Sequence, residues 1–327
     1  MIRSFLSDAH AILGLASVPI VVAVLVASCG PAGSQSSVSS PLTQTPIQAG
    51  SPPALPCVDC VRALPMTLRL AFVCRCGDRT GICLINPGDA DKCWLDDRLE
   101  ASGRFDWSPL TSEVVFSSDA HGEWRIYVAN PYDESLEWFS EGLPGARHPS
   151  WAPDGAFFAF QSDAAGDWNI YVRFLLGPDA SRVTGDPADD VDGSWSPLGQ
   201  QIAFASDGDG DFEIYVMTTA GTQVKRLTDN AYDDVEPAWS PDGGRIAFIS
   251  YRDGNAELYV MNSDGSDQVR LTNTEHSERH PVWSLDDSRI AYELRRENGD
   301  REVWLVDVDS VEAAYVVDGH APTWMKY

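Results

Sequence analysis

Basic side chains are scarce in this 327-residue sequence, in which 23 lysines and arginines stand against 49 aspartates and glutamates. The formal net charge is −26. Nucleic-acid binding depends on neutralising phosphates with basic side chains, so this composition argues against a nucleic-acid partner. Many of the acidic residues fall at predicted hairpin tips, where they favour turns and solubility.

Linear signatures of catalysis are also missing. The sequence contains no Gly-x-Ser-x-Gly, no phosphate-binding loop and no His-Glu-x-x-His. A fold that assembles its site from several repeats needs no linear motif, so an enzymatic function stays open at this point.

Long apolar runs are limited to Ala11–Val26, whose 16 residues fall short of the ~20 needed to span a bilayer. The run follows Arg3, which predicts an export signal over residues 1–29. It ends in Val-Ala-Ser-Cys29-Gly, which resembles the lipobox of bacterial lipoproteins. The resemblance implies lipid attachment at Cys29 and anchoring at a periplasmic or extracellular membrane face. An ordinary cleaved signal or an uncleaved anchor are the alternatives.

Residues 30–56 are rich in serine, proline and threonine and poor in large apolar side chains. Such a segment cannot bury a core, so it predicts a disordered linker between the lipid and a folded domain.

Cysteines are concentrated just after this linker. An even number in an exported chain predicts up to three disulfides, and the 15 connectivities stay open. The Cys-x-x-Cys spacing also occurs in zinc and redox sites, but no histidine lies nearby, so we expect bridges that brace the segment 57–106. The six cysteines are Cys57, Cys60, Cys74, Cys76, Cys83 and Cys93.

An internal repeat organises the rest of the chain. Tryptophan recurs five times at intervals of 44 residues and once more after 41, at Trp107, Trp151, Trp195, Trp239, Trp283 and Trp324. The unit Pro237–Thr272 reads as four short strands joined by tight turns, with central strands that are apolar on both faces. Four strands in a period of roughly 40–45 residues predict a β-propeller, in which the tryptophans pack between blades.

The number of blades follows from the two ends of the repeat. Ala63 stands where the first tryptophan should be, while Ala321-Pro-Thr-Trp324 supplies an extra first strand at the carboxyl end. We therefore predict an all-β, six-bladed propeller over residues 57–327. Residues 67–95 give the last three strands of its first blade, and residues 321–326 close that blade as its innermost strand.

The repeated sequence pattern resembles the TolB-type, WD40-like propeller repeat of bacterial envelope proteins. The pattern is Trp-Ser-Pro-Asp-Gly…Ile-Ala-Phe…Ile-Tyr-Val-Met…Leu-Thr. The resemblance is strongest over Trp195–Thr272. It implies a propeller that binds other proteins of the cell envelope. Nothing before residue 57 resembles the amino-terminal domain of TolB, so we expect a relative outside the TolB role itself.

The polar residues three positions before each tryptophan form the candidate site. We expect His148, Asp192, Glu236 and His280 to converge at one mouth of the central channel, near Asp189-Asp190 and Asp233-Asp234. They could bind a cation or a basic side chain of a partner, and a solvated polar rim is the alternative. The full set is Arg104, His148, Asp192, Glu236, His280 and Ala321.

Asp207-Gly-Asp-Gly-Asp211 has the alternating carboxylates of a calcium loop but lacks the glutamate at loop position twelve. We therefore expect an acidic hairpin there.

The chain as a whole is predicted to be a membrane-anchored, monomeric, non-catalytic protein-binding scaffold without a cofactor, although a divalent cation at the channel mouth stays open. The alternative is a propeller hydrolase or lyase that acts on glycans or peptides at that mouth.

Overall fold

The computed structural model describes residues 69–76, 79–86, 89–94, 104–119, 122–130, 135–139, 142–177 and 179–325. These residues all belong to one compact unit, Ala49–Tyr327. The predicted export signal, Cys29, the linker, Cys57 and Cys60 lie outside the described residues.

Within the described ranges, the secondary structure consists of 24 β-strands. No helix in this part of the chain is long and apolar enough to cross a membrane. The strands are β1 (Arg69–Cys76), β2 (Arg79–Asn86), β3 (Asp89–Trp94), β4 (Phe105–Trp107), β5 (Val114–Ser118), β6 (Arg125–Asn130), β7 (Ser135–Trp138), β8 (Arg147–Trp151), β9 (Phe157–Ser162), β10 (Asn169–Phe174), β11 (Ala180–Arg182), β12 (Asp190–Trp195), β13 (Gln201–Ser206), β14 (Glu213–Thr218), β15 (Lys225–Arg226), β16 (Asp234–Trp239), β17 (Arg245–Ser250), β18 (Glu257–Asn262), β19 (Val269–Arg270), β20 (Ser277–Trp283), β21 (Arg289–Arg295), β22 (Arg301–Asp307), β23 (Ala313–Asp318) and β24 (His320–Met325).

The strands form six four-stranded antiparallel sheets, which are the six blades. Blade 1 has the order β24-β1-β2-β3, and blades 2 to 6 are the consecutive sets β4–β7, β8–β11, β12–β15, β16–β19 and β20–β23. The predicted propeller and its blade count are therefore confirmed.

The two central strands of each blade are buried on both faces, as their apolar sequences require. In blade 5, the Phe248 ring on β17 lies 5.6 Å from the Tyr259 ring on β18, and blade 4 repeats this pair with Phe204 and Tyr215 at 5.7 Å. Hydrophobic clusters run from blade to blade, which is why a single repeat has no core of its own.

The turn predicted at Ser240–Gly243 is present. The Gly243 amide donates to the Ser240 carbonyl over 2.9 Å, and Gly243 has a φ of 72°. Glycine is required at the hairpin between β18 and β19 for a second reason. A Cβ on Gly265 would lie 2.7 Å from the Leu227 carbonyl oxygen, so only glycine lets this turn approach the preceding blade.

The carboxyl-terminal strand closes the ring as predicted. Strand β24 pairs with β1, placing Trp324 opposite Leu70. Core residues of blade 1 then pack against blade 6 on one side and blade 2 on the other. A disulfide between Cys74 and Cys83 joins β1 to β2, which confirms one bridge in the first blade. The structure does not describe the side chains of Cys76 and Cys93.

We expect Trp324→Ala to lower the free energy of unfolding by about 3–5 kcal/mol, because it removes a large buried side chain at the ring closure. The Trp324 indole is 4% exposed and its Nε1 donates to the Val282 carbonyl over 3.3 Å. Urea denaturation measures the loss. The exposed Leu198→Ala is the control and should change stability by no more than about 0.5 kcal/mol. Equal effects of the two variants would contradict the closure.

Candidate functional site

The innermost strands of five blades are bulged at the same place. The pairing register shifts within β8, β12, β16 and β20, and opposite β24. One residue in each irregularity adopts a left-handed backbone, which L-residues rarely take and which costs about 1–3 kcal/mol. These residues are His148 (φ 51°), Asp192 (59°), Glu236 (57°), His280 (53°) and Ala321 (48°). All five belong to the predicted candidate set.

Hydrogen bonds between blades stabilise this unusual backbone. The Asp192 amide donates to Gln161 Oε1 over 2.9 Å, and the His280 amide donates to Glu236 Oε2 over 2.5 Å. The Ala321 amide likewise donates to Glu293 Oε2 over 3.3 Å. In each case the acceptor lies on the preceding blade. The bulges therefore couple neighbouring blades as well as redirecting side chains.

Arg104, the sixth member of the set, reaches across the channel. It precedes β4 in blade 2, and its Nη2 lies 2.9 Å from Glu236 Oε2 in blade 5, directly opposite in a six-bladed ring. Its Nη1 lies 3.5 Å from Asp192 Oδ1 in blade 4. Asp192 and Glu236 are only 6% and 5% exposed, so their negative charges are stabilised by this guanidinium rather than by water.

Further partners complete this central network. Arg279 Nη1 lies 3.2 Å from Glu236 Oε1, while His148 Nδ1 lies 2.6 Å from Asp192 Oδ1. His280 Nδ1 lies 2.9 Å from Glu293 Oε2. The structure thus brings together the four predicted residues, but as members of a largely buried ion-pair network. Binding of a ligand by them stays a prediction.

The electrostatic environment keeps the acids ionised. Burial by itself raises the pKa of Asp192, but the Arg104 guanidinium and His148 hold it below its usual value. Burial likewise opposes ionisation of Glu236, yet His280, Arg104 and Arg279 hold its pKa well below the usual range. Burial also opposes ionisation of Glu293, but the hydrogen bond from His280 and the charges of His280, His320 and Arg301 together lower its pKa to about 2.

Sequence reasoning missed several members of the network. Gln161 and Glu293 occupy one register position on the second strand, three repeats apart, where blades 4 and 5 have alanine and isoleucine. A polar residue in that apolar position was the available signal. Of the four predicted flanking acids, Asp190 and Asp234 are buried in their blades, whereas Asp189 is half-buried and Asp233 is exposed.

The predicted acidic hairpin is present at residues 207–211. The Gly210 amide donates to the Asp207 carbonyl over 2.8 Å, and Asp209 Oδ2 lies 3.1 Å from Arg226 Nη1. Among the described residues, no group of three or more histidine, cysteine, aspartate or glutamate side chains is placed to hold a metal ion. The cofactor predictions remain untested.

A cavity of about 390 Å³ extends from this network along the innermost strands of the ring. Arg104, His148 and His280 line it at the network, and prolines of the Trp-Ser-Pro turns line it at the opposite end of the strands. Between them lie tryptophans and the residues after each bulge. The predicted packing role of the tryptophans is confirmed for Trp107, Trp151, Trp283 and Trp324, which are buried. Trp195 and Trp239 also pack against hydrophobic clusters between blades but are partly exposed.

Comparison with known families identifies the repeat. Residues 187–324 match the TolB beta propeller domain. The predicted resemblance is thereby confirmed over these residues: blades 4 to 6 of the six-bladed propeller carry TolB-type repeats. A search of characterised proteins with the sequence finds no significant match.

Solved structures share this fold. TolB from Acinetobacter baumannii matches with a TM-score of 0.69 and 23% identity, over 79% of this chain and 67% of that one. A putative TolB from Agrobacterium tumefaciens matches with a TM-score of 0.61 and 21% identity, over 78% and 90%. An oligogalacturonate lyase in complex with manganese matches with a TM-score of 0.52 and 13% identity, over 78% and 73%.

We expect Arg104→Met to destabilise the protein by about 3–5 kcal/mol at neutral pH, since it leaves two buried carboxylates without their shared cation. The pKa of Glu236 is depressed in the folded state, so the stability it contributes is fully present above its unfolded pKa of about 4.3 and is lost progressively as the pH falls from there through the folded pKa. The effect of the substitution should therefore shrink in acid. Denaturation at pH 7 and pH 3 measures both, and a loss that does not depend on pH would contradict the network.

Adding Glu236→Gln to Arg104→Met provides the internal control. The double variant removes one of the stranded charges, so it should recover part of the stability lost in Arg104→Met. Additive losses would show that the two residues do not interact.

Proposed function

We propose that this protein is a lipid-anchored, extracytoplasmic propeller that binds another protein of the cell envelope through the cavity along its channel. The main observation that supports this proposal is the cavity. Its volume of about 390 Å³ falls in the range of ligand-binding clefts, and it combines a rigid apolar wall with a few polar groups at one end.

The lining suits an extended peptide segment. Proline and tryptophan side chains have few conformations to lose on binding, so they offer contact area at low entropic cost. Aromatic walls also recognise extended, proline-rich segments in several domain types. The charges at the end of the cavity are engaged with one another, so the binding energy would come chiefly from the apolar wall.

The cellular location rests on the sequence of the leader. The apolar run and Cys29 support export and lipid attachment, and TolB-type repeats support an envelope location. We expect Cys29→Ser to abolish labelling of the protein by radioactive palmitate in growing cells, because the substitution removes the acylated thiol. Unchanged labelling would contradict lipid attachment at this residue.

Site-specific photocrosslinking in cells tests the binding site. A photoreactive phenylalanine analogue at Leu285, which lines the cavity, should crosslink to a protein of the cell envelope. The same analogue at Leu176, which is more exposed and lies outside the cavity, is the matched control and should not. Crosslinks of equal strength at both positions, or at neither, would contradict the proposal.

A second function is favoured by one observation. His148 and Asp192 form a pair at 2.6 Å, and His148 lines the cavity. A carboxylate on Nδ1 holds the other ring nitrogen of a histidine in position to accept a proton, as hydrolases and lyases require. Oligogalacturonate lyase shares the fold alone with this chain. Turnover of a glycan or peptide that is lost in His148→Gln and retained in His276→Gln would establish this alternative.

A further inference from the structure

A second cavity of about 390 Å³ lies between blades 3 and 4, away from the channel. Its lining comes from the residues that follow β11 and from β13, β14 and their hairpins. Three carboxylates line it, those of Asp186, Asp190 and Asp209, and no lysine or arginine is among its described lining residues. Asp186, Gly208 and Asp209 are exposed, so the cavity opens to solvent.

Asp190 is the unusual member of this lining. It is 1% exposed, and neither of its carboxylate oxygens makes a hydrogen bond of ordinary distance and angle. Burial raises its pKa to about 6, and the nearby hydroxyls of Ser206 and Thr184 offset this only in part. A buried carboxylate is costly without a cation or a full set of donors. The cavity therefore presents an unsatisfied acceptor.

Blade 5 shows which group can pair with a buried carboxylate in this position. Asp234 lies 44 residues after Asp190, and its Oδ2 is 2.7 Å from Nη2 of Arg252. The same guanidinium donates from Nε to Ser250 Oγ over 2.7 Å and from Nη1 to Gln268 Oε1 over 2.8 Å. Its carbon centre also lies 4.7 Å from the centre of the Tyr259 ring.

Blade 4 has equivalents of the residues that surround Arg252, but it lacks the arginine itself. Ser206, Phe204 and Tyr215 line the cavity in the positions of Ser250, Phe248 and Tyr259, and Asp190 takes the position of Asp234. The position of Arg252 is Gly208, and that of Gln268 is Val224. The cavity thus occupies the space that a guanidinium fills one blade later.

We propose that this cavity binds a guanidinium group, supplied by an arginine side chain of a partner protein. The planar cation matches the carboxylate, the serine hydroxyl and the aromatic faces that hold Arg252 in the adjacent blade. Arg226, on β15 of blade 4, already pairs with Glu213 over 2.9 Å and with Asp209. Lysine fits less well, because a single ammonium cannot make these separate contacts at once.

Calorimetry of the full chain with N-acetyl-arginine amide tests the proposal. We expect this probe to bind at one site and N-acetyl-lysine amide to bind at least about tenfold more weakly. Asp190→Asn should weaken binding of the arginine probe at least about tenfold. Binding should also weaken as the pH falls below about 6, where Asp190 takes up a proton. No binding at neutral pH, or equal affinity for the two probes, would overturn the proposal.

Gly208→Arg is the decisive variant, because it supplies the missing side chain from within the chain. A Cβ at this position would make only ordinary contacts, at 3.5 Å from Ala188 Cβ and 3.7 Å from Ser206 Oγ. We expect the thermal midpoint to rise by about 2–4 °C and binding of the probe to be lost. Leu198→Arg, at an exposed position outside both cavities, adds the same charge and should do neither.

The guanidinium could come from a partner's arginine side chain or from a small guanidino compound. Agmatine distinguishes the two, because it carries the guanidinium of arginine without the peptide-like groups. Binding of the peptide-like probe at least as tight as that of agmatine supports a partner's arginine. Tighter binding of agmatine, blocked in Gly208→Arg, would overturn the protein partner and assign the cavity to a small guanidino compound. A Gly208→Arg variant that still binds either probe would overturn the site itself. These outcomes do not depend on the channel cavity, so they stand apart from the crosslinking test.

Discussion

The pairing of buried charge across the channel is the constraint on which the rest of the propeller depends. Arg104 neutralises carboxylates that belong to two other blades, so the network forms only when the ring is closed. The left-handed bulges that aim these carboxylates inward are in turn stabilised by acceptors from the preceding blade. Ring closure, backbone strain and charge balance therefore support one another, and removing a single cation affects several blades.

The fold could be predicted from the sequence because its determinants are local and repeated. The tryptophan period set the blade count, and the missing first strand at Ala63 together with the extra one at Trp324 predicted the closure. Turn residues such as Gly243 marked the hairpins through their own backbone preference. Each of these signals lies within one repeat or compares two repeats directly.

The chemistry of the site was harder to predict, because it depends on contacts between distant blades. The register placed His148, Asp192, Glu236 and His280 in one ring, but no periodicity shows that Arg104 crosses the channel. The sequence predicted a polar mouth, and the structure buries its carboxylates, Asp192 and Glu236, while Arg104, His148 and His280 are half-buried and line the cavity. The difference between Gly208 and Arg252 is visible in the sequence, but it acquires a meaning only once Asp190 is seen to be buried beside it.

Titration of individual carboxyl groups by carbon-detected NMR tests the account most directly, since it reports where charge inside the propeller has a partner. Asp192 and Glu236 should titrate below the usual pKa of their side chains, Glu236 far below it, while Asp190 should take up a proton near pH 6. Ordinary titration of all three groups near pH 4, or a raised pKa for Glu236 together with a low one for Asp190, would contradict both the buried network and the unsatisfied cavity.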